Sequence, residues 1–468
     1  MSHEPSSKAV AEQFEPFRQR MRAAGMNDII LKNFEYYYGQ LLHGEVGLIP
    51  ESEIQPVPSL PDSQQLERED DETGKQHLQH TVVIKLNGGL GTSMGLDRAK
   101  SLLPVKHEKS FLDIIALQTI KQGTRLLLMN SYNTRQDSLQ VLSNYDELSG
   151  EIPLDFLQHK IPKVAADTYA PVEYPQDPDL EWCPPGHGDL YIALVTSGLL
   201  DTLLEHGYRY AFVSNVDNLG AVLQPSILGY FIRNELDFLM EVAERTPADR
   251  KGGHLAKRGD SFVLREIAQC PQEDVPQFQN VERHKYFNTN NLWVNLKALQ
   301  HSLEKRHHML KLPLIVNNKT VNPRDPESPP VIQLETAMGA AISVFDRSSA
   351  IRVPRTRFAP VKSTNDLLLV RSDYYTLNDD YLLVPHPERC CDKVVVDLDS
   401  RYYKFIHDFD ERFPNGVPSM IDARSLHVRG NVYWGSAVRV KGDVEIKSES
   451  DAPKTVDDSS VLQGSISL

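Results

Sequence analysis

From residue 81 onward short apolar runs alternate with helical patterns, and this alternation constrains the fold more than any other feature of the chain. "TVVIKL" is followed by "SFLDIIALQTIKQ", then "TRLLLMNS", and later "GDLYIALVTSGLLDTLLEHG" runs into "YRYAFVSNVDN". Strand-length apolar runs separated by helical periods predict βαβ units. Such units build a mainly parallel sheet with helices on both faces. Further strand-like runs occur at "DFLMEVAE", "FVLREIAQ", "TNNLWVNL" and "LLLVRS", so residues 79–395 read as one α/β domain.

Two flanks differ from this core. In residues 1–78, Val10, Phe14, Phe17 and Met21 fall on one helical stripe, Gly25 can end it, and Ile30, Phe34, Tyr37 and Leu41 form a second stripe behind the capping candidates Asn27 and Asp28. The pattern predicts a helical hairpin packed on something else. The proline-rich and acidic stretch 50–76 reads as a linker or a surface excursion. In residues 396–468, Val432, Val438 and Val444 recur every six residues, with Gly430 and Gly442 twelve apart. A six-residue apolar repeat is the period of a parallel β-helix, with an irregular antiparallel sheet as the alternative.

The 468 residues carry a net charge of −14, which argues against non-specific attraction to nucleic acid or acidic membranes. An anionic ligand must therefore meet a locally basic site. The chain contains no apolar run near the ~20 residues of a membrane span, and "MSHEPSSKAVAEQFEPF" lacks the apolar core of a secretion signal, so a cytoplasmic location is expected. Cys183, Cys270, Cys390 and Cys391 have neither disulfide-framework nor zinc-knuckle spacing and read as reduced, structural residues.

The chemistry concentrates in a few stretches. "VVIKLNGGLGTSMGLDRAKS" follows an apolar strand with Gly88, Gly89, Gly91 and Gly95 and then Lys100. A dinucleotide-binding turn would need a third glycine at Met94, and a Walker loop would need glycines at Met94 and Ala99. What remains is a phosphate cradle of another kind, with a glycine-rich surface turn and a solvated lysine as the alternative. "CPPGHGDLY" sets His187 before a helical pattern that Asp189 can cap, a position that favours an anion or, equally, a plain helix-entry turn. "SNVDNLG" places Asn215, Asp217 and Asn218 beyond the carboxyl end of a strand, where α/β sheets collect ligands. A single carboxylate there suits one Mg²⁺ that also takes phosphate oxygens and water, or a capping turn. "YFNTNNLWVNL" and "VIQLETAMGAA" offer Asn288, Asn290, Asn291, Gln333 and Glu335, side chains able to pair with sugar hydroxyls. Arg352, Arg355, Arg357 and Lys362 make a basic cluster with either an anion or surface ion pairs as its reason.

Together these motifs resemble the UTP–glucose-1-phosphate uridylyltransferase family, through "KLNGGLGTSMG…AKS", "LLMNSYNT", "PPGHGDLY", "SNVDNLGA", "FNTNNLWVNL", "VIQLETAMGAA" and "FAPVKSTNDLLLV" in order. The resemblance implies a Rossmann-like, GT-A-like α/β core with a helical N-terminal segment and a left-handed parallel β-helix-like tail. It implies conversion of UTP and glucose-1-phosphate, with Mg²⁺, to UDP-glucose and pyrophosphate. By motif, Lys100 and Lys362 would act on the phosphates, and Leu86, Asn87, Gly88, Gly89, Met129, Gln158 and Gly188 would hold the nucleotide. His187, Asn218, Asn290, Asn291 and Glu335 would take the sugar phosphate, and Asp217 the metal. Ser93 and Ala99 stand where many sugar nucleotidyltransferases have Arg and Pro, and the absence of that arginine weighs against an N-acetylhexosamine-1-phosphate or a broad substrate range. The rivals are a uridylyltransferase for galactose-1-phosphate or an N-acetylated sugar phosphate, and a non-catalytic UTP or UDP-glucose sensor. A homo-oligomer through the C-terminal domain is a further expectation, by analogy of fold.

Overall fold

The computed structural model describes residues 7–448 and 452–468. Its centre is a ten-stranded sheet. Strands Tyr210–Asn215, Thr81–Asn87, Arg125–Asn130 and Asp155–Leu157 lie side by side and parallel, with Val83 opposite Leu126 and Phe212. On the other side of Tyr210–Asn215 comes Tyr286–Asn295, which runs antiparallel to it and to Phe238–Glu244; Phe238–Glu244 in turn is parallel to Ser348–Arg352. The sheet is thus parallel where the Gly-rich strand lies and mixed beyond it.

Both faces are covered, and for that reason the strands read as unbroken apolar runs. Every residue of Thr81–Asn87 is buried. Side chains alternate between two cores, as the strand period requires. Val83, Leu126, Leu128 and Phe212 point to one core, roofed by helices Phe111–Gln122 and Pro225–Arg233; Val82, Ile84, Leu127 and Val213 point to the other, roofed by Leu190–Thr196, Leu199–Glu205 and Leu296–Lys305. Helix Phe111–Gln122 starts at a Ser110–Asp113 capping box and stops at Gly123 in the left-handed region.

The N-terminal hairpin forms as the spacing predicts. Helices Ser7–Ala23 and Asp28–Leu42 meet through Val10, Phe14, Phe17, Met21, Ile30, Phe34, Tyr37 and Leu41, and the pair sits on Ile161, Cys183, Leu314 and Leu334 of the central domain. Asn27 caps the second helix through its side-chain oxygen.

The 50–76 stretch departs from the linker reading. Gln55–Pro56 adds to the sheet edge beside His254–Arg258, Ile54 and Val57 are buried, and Arg68–His77 is a helix against Pro225–Arg233. "LLLVRS" is not a strand either: helix Thr364–Arg371 contains its first five residues, started by a Ser363–Asp366 capping box. An apolar run this short fits a buried strand or a buried helix turn equally, and the cap decides.

In the tail, Val395–Leu398, Ala423–Arg429, Arg439–Lys447 and Val461–Ser467 pair in parallel succession, and Val432–Trp434 pairs in parallel with Lys454–Val456. Val432, Val438 and Val444 are all buried, and the parallel pairing of these strands decides against the antiparallel sheet. No helix among the described residues is long and apolar enough to cross a membrane.

Candidate active site

The carboxyl ends of the parallel strands open onto a cleft of 340 Å³ lined by Leu86, Gly88, Gly89, Lys100, Met129, Gln158, Pro184, His187, Asn215, Val216, Asp217 and Lys362. That volume lies within the range of small-molecule sites.

The Gly-rich loop is shaped around Lys100. Gly91 has φ of +70°, a conformation that calls for glycine, and a Cβ there would stand 2.8 Å from Leu96 Cδ1 and 3.3 Å from the Lys100 side chain. The Lys100 N–H donates to the Gly89 carbonyl at 3.1 Å, closing the loop on itself. Over Gly89 a Cβ would meet no atom within 4 Å, whereas at Gly88 it would come within 2.6 Å of Gln158 Oε1. Gln158 can therefore approach the loop only because residue 88 has no side chain.

Asp217 brings the two lysines together. Lys100 Nζ donates to Asp217 Oδ2 at 2.8 Å, and Lys362 Nζ donates to the same oxygen at 2.6 Å. These residues lie 117 and 145 positions from Asp217 in the chain. The Asp217 side chain is 8% exposed, and its other oxygen, Oδ1, is buried with no partner among the described residues. A buried anionic oxygen without a partner, beside an open cleft, is a donor suited to a hard cation such as Mg²⁺.

His187 accepts the Met338 N–H on Nδ1 at 3.0 Å. Burial and the nearby Lys362 push its pKa down to about 4. The ring is accordingly neutral at physiological pH, with its proton on Nε2. Asp189 does not cap the following helix as expected. It accepts the His159 N–H at 2.7 Å and pairs with the His159 ring at 2.8 Å, while His159 Nε2 meets Thr196 Oγ1 at 2.9 Å. This clamp ties the His187 loop to the residue after Gln158, and Gln158 Nε2 adds a bond to the Gly186 carbonyl at 3.3 Å.

The remaining predicted residues stand outside the cleft lining. Asn87 is fully buried beneath it, donating to Asn130 Oδ1 and Ser138 Oγ, both at 2.7 Å. Gly188 faces a smaller cavity behind the loop, where a Cβ would lie 2.3 Å from Thr336 Oγ1. Asn218 and Asn291 are buried, and their amides are bonded within the protein: Asn218 to the Arg357 carbonyl at 3.0 Å, Asn291 to Glu241 at 3.0 Å. Asn290, at φ +58°, exchanges bonds with Asn288 at a bulge where Glu241 pairs with Asn291 but Val242 with Asn288. Glu335 lies beside Gly186 on strand Pro330–Thr336, its carboxyl pushed up by burial. Of the basic cluster, Arg352 pairs with Asp62 and Glu244, Arg355 with Asp249 and Arg357 with Glu241, so Lys362 alone among them lines the cleft. Asn215 and Pro184 do line it, although their motifs pointed first to Asp217 and His187.

The family model described as UTP–glucose-1-phosphate uridylyltransferase matches residues 31–441. The Solanum tuberosum UTP–glucose-1-phosphate uridylyltransferase is 41% identical over 402 residues, covering 84% of this chain and 82% of its own. A point mutant of the UDP-glucose pyrophosphorylase from Leishmania major, solved in complex with UDP-glucose, superposes with a TM-score of 0.91 at 41% identity over 98% of this chain and 99% of that one. A Trypanosoma brucei UDP-glucose phosphorylase does so at 0.88 and 44% identity, over 98% and 100%. The chain belongs to the UTP–glucose-1-phosphate uridylyltransferase family.

Proposed function

We propose that the chain transfers the uridylyl group of UTP to glucose-1-phosphate, releasing pyrophosphate and UDP-glucose. The observation that carries this reading is the convergence of Lys100 and Lys362 on one Asp217 oxygen at the mouth of the cleft. An oxygen of the sugar phosphate forms a bond to the α-phosphorus while the bond to the bridging oxygen of the β-phosphate breaks, and pyrophosphate leaves with that electron pair. The attacking oxygen is already anionic, so the step needs no general base. It needs two polyanions aligned and their repulsion offset. Lys100, behind the Gly-rich loop, faces the UTP phosphates; Lys362, 59% exposed, is free to leave Asp217 and follow charge onto the α-phosphoryl group. Gly89 gives the backbone access to phosphate oxygens, and Gln158 can donate to a uracil carbonyl and accept from N3–H, a pattern cytosine does not offer. Neutral His187 donates from Nε2 to the sugar phosphate. Asp217 would hold Mg²⁺, which when bound supplies fixed positive charge to the phosphate oxygens.

The test is pyrophosphate release from UTP and glucose-1-phosphate across a Mg²⁺ titration. Lys362→Ala should lower kcat by about 10²–10³-fold with a much smaller change in KM for UTP, the scale of removing one preorganised electrostatic group. Asp217→Asn should raise the Mg²⁺ concentration needed for half-maximal rate. Equal effects of Lys362→Ala on kcat and KM, or an unchanged Mg²⁺ titration for Asp217→Asn, would remove these assignments. A higher kcat/KM with galactose-1-phosphate or N-acetylglucosamine-1-phosphate would overturn the substrate.

A further inference from the structure

Lys362 lies on the segment that follows strand Ser348–Arg352, and a buried network bonds that segment to the loop that carries Asp217. Arg357 Nε and Nη2 donate to the two oxygens of Glu241 at 2.8 and 2.6 Å. Glu241 is fully buried, and its carboxylate also accepts Trp293 Nε1 and Asn291 Nδ2, both at 3.0 Å. The Arg357 carbonyl accepts from Asn218 Nδ2 at 3.0 Å and Asn291 Nδ2 at 3.3 Å. Asn218 Oδ1 accepts the Ala359 N–H at 3.0 Å and the Gly220 N–H at 3.2 Å, and the Val361 N–H donates to the Asp217 carbonyl at 3.0 Å. Below the same loop, buried Lys85 donates to the Ala221 carbonyl at 2.6 Å and to Ser214 Oγ at 2.7 Å.

For stability alone this is a poor use of four polar side chains, because a buried ion pair gains little over well-packed apolar residues. What the network does supply is register: residues 357, 359 and 361 are each bonded to Asn218 or Asp217, and none of Asn218, Asn291, Glu241 and Arg357 lines the cleft. We propose that Asn218, Asn291, Glu241 and Arg357 are positioning residues that dock the Lys362 segment onto the Asp217 loop and so set the Lys362 ammonium at the reacting phosphate. Neither asparagine reads the sugar. The inference rests on the uridylyl-transfer reading above.

Its test is steady-state kinetics of Asn218→Ala and Arg357→Lys, alone and combined with Lys362→Ala, with circular dichroism confirming that each variant is folded. Each single variant should lose about 10²-fold in kcat, the cost of a misplaced group, while KM for glucose-1-phosphate changes by less than about threefold. In the Lys362→Ala background that loss should vanish, since a residue acting through Lys362 has nothing left to position. A raised KM for glucose-1-phosphate at unchanged kcat would make Asn218 a sugar contact, and losses that multiply with Lys362→Ala would make it independent; either overturns the proposal. If Asn218→Ala fails to fold, Arg357→Lys decides, and wild-type kcat in that variant overturns the proposal as well. Failure of the positioning role leaves wild-type turnover intact, whereas a wild-type enzyme that releases no pyrophosphate overturns the underlying reaction and the positioning role with it.

Discussion

Met338 donates its N–H to His187 Nδ1, which leaves the imidazole proton one place, Nε2. A ring held neutral this way is a hydrogen-bond donor rather than an acid, and it makes the fold sensitive to acid. Its folded pKa, about 4, lies below the value near 6.5 of an unfolded chain. Between those values the unfolded state binds more protons, so the contribution of His187 is fully present above pH 6.5 and is lost as pH falls toward 4. Relative to His187→Gln, the wild type should therefore lose about 3 kcal/mol more unfolding free energy over that window, at 1.36 kcal/mol per pKa unit. Urea midpoints at pH 7 and pH 4.5 check this, with buried His254 and His284 contributing the same sign to both proteins. Equal acid sensitivity would show that His187 is not held neutral. Lys100, Lys362 and Asp217, singled out by motif, do meet in one cleft. Asn218 and Asn291 could not be placed, because an amide at a strand end looks the same whether it faces a cleft or a neighbouring loop.

Helix Arg68–His77 shows why an element escaped the sequence reading altogether. Its sequence, REDDETGKQH, has no apolar stripe, and the only residues it buries are Asp70 and Gly74. It packs by close backbone approach instead. A Cβ on Gly74 would stand 1.8 Å from the Pro225 carbonyl oxygen, and one on Gly229 would stand 1.7 Å from the Asp70 carbonyl oxygen. Hydrophobic periodicity cannot register an interface built from two glycines. Gly229→Ala sets two effects against each other. Alanine gains about 1 kcal/mol in helix propensity, while forcing apart two backbones that cannot rotate away costs about 1–3 kcal/mol. The contact should win, lowering the urea midpoint while kcat at low temperature stays near wild type, because neither helix lines the cleft. A raised midpoint would mean that the helices separate at no cost. The βαβ strands, by contrast, were plain from the chain because burial on both faces leaves an apolar run that little else produces.

The tail was read as a domain of its own, and its parallel strands follow the six-residue period. Its core is nevertheless continuous with that of the sheet. One apolar cluster runs from Val83, Phe111 and Leu128 through Val361, Leu368 and Tyr374 to Tyr403, Phe413, Trp434 and Val444. Phe405, from the tail, lies against the Gly-rich loop, where a Cβ on Gly95 would come within 2.9 Å of its ring. A β-helix that shared no core could melt separately, as domains joined by small polar interfaces do. Here separation would expose apolar surface on both partners at roughly 25 cal/mol per Å², so partial unfolding gains chain entropy only by losing much of that burial. Unfolding should be one cooperative event. Trp434 reports on the tail and Trp293, packed on Phe212 at 4.6 Å between ring centroids, reports on the sheet. In two variants that lack Trp182 and keep one of these two tryptophans each, fluorescence transitions in urea should coincide with each other and with loss of turnover. A Trp434 transition that precedes the other, with turnover retained, would show that the tail is an independent unit and that its contact at Gly95 does not support the loop holding Lys100.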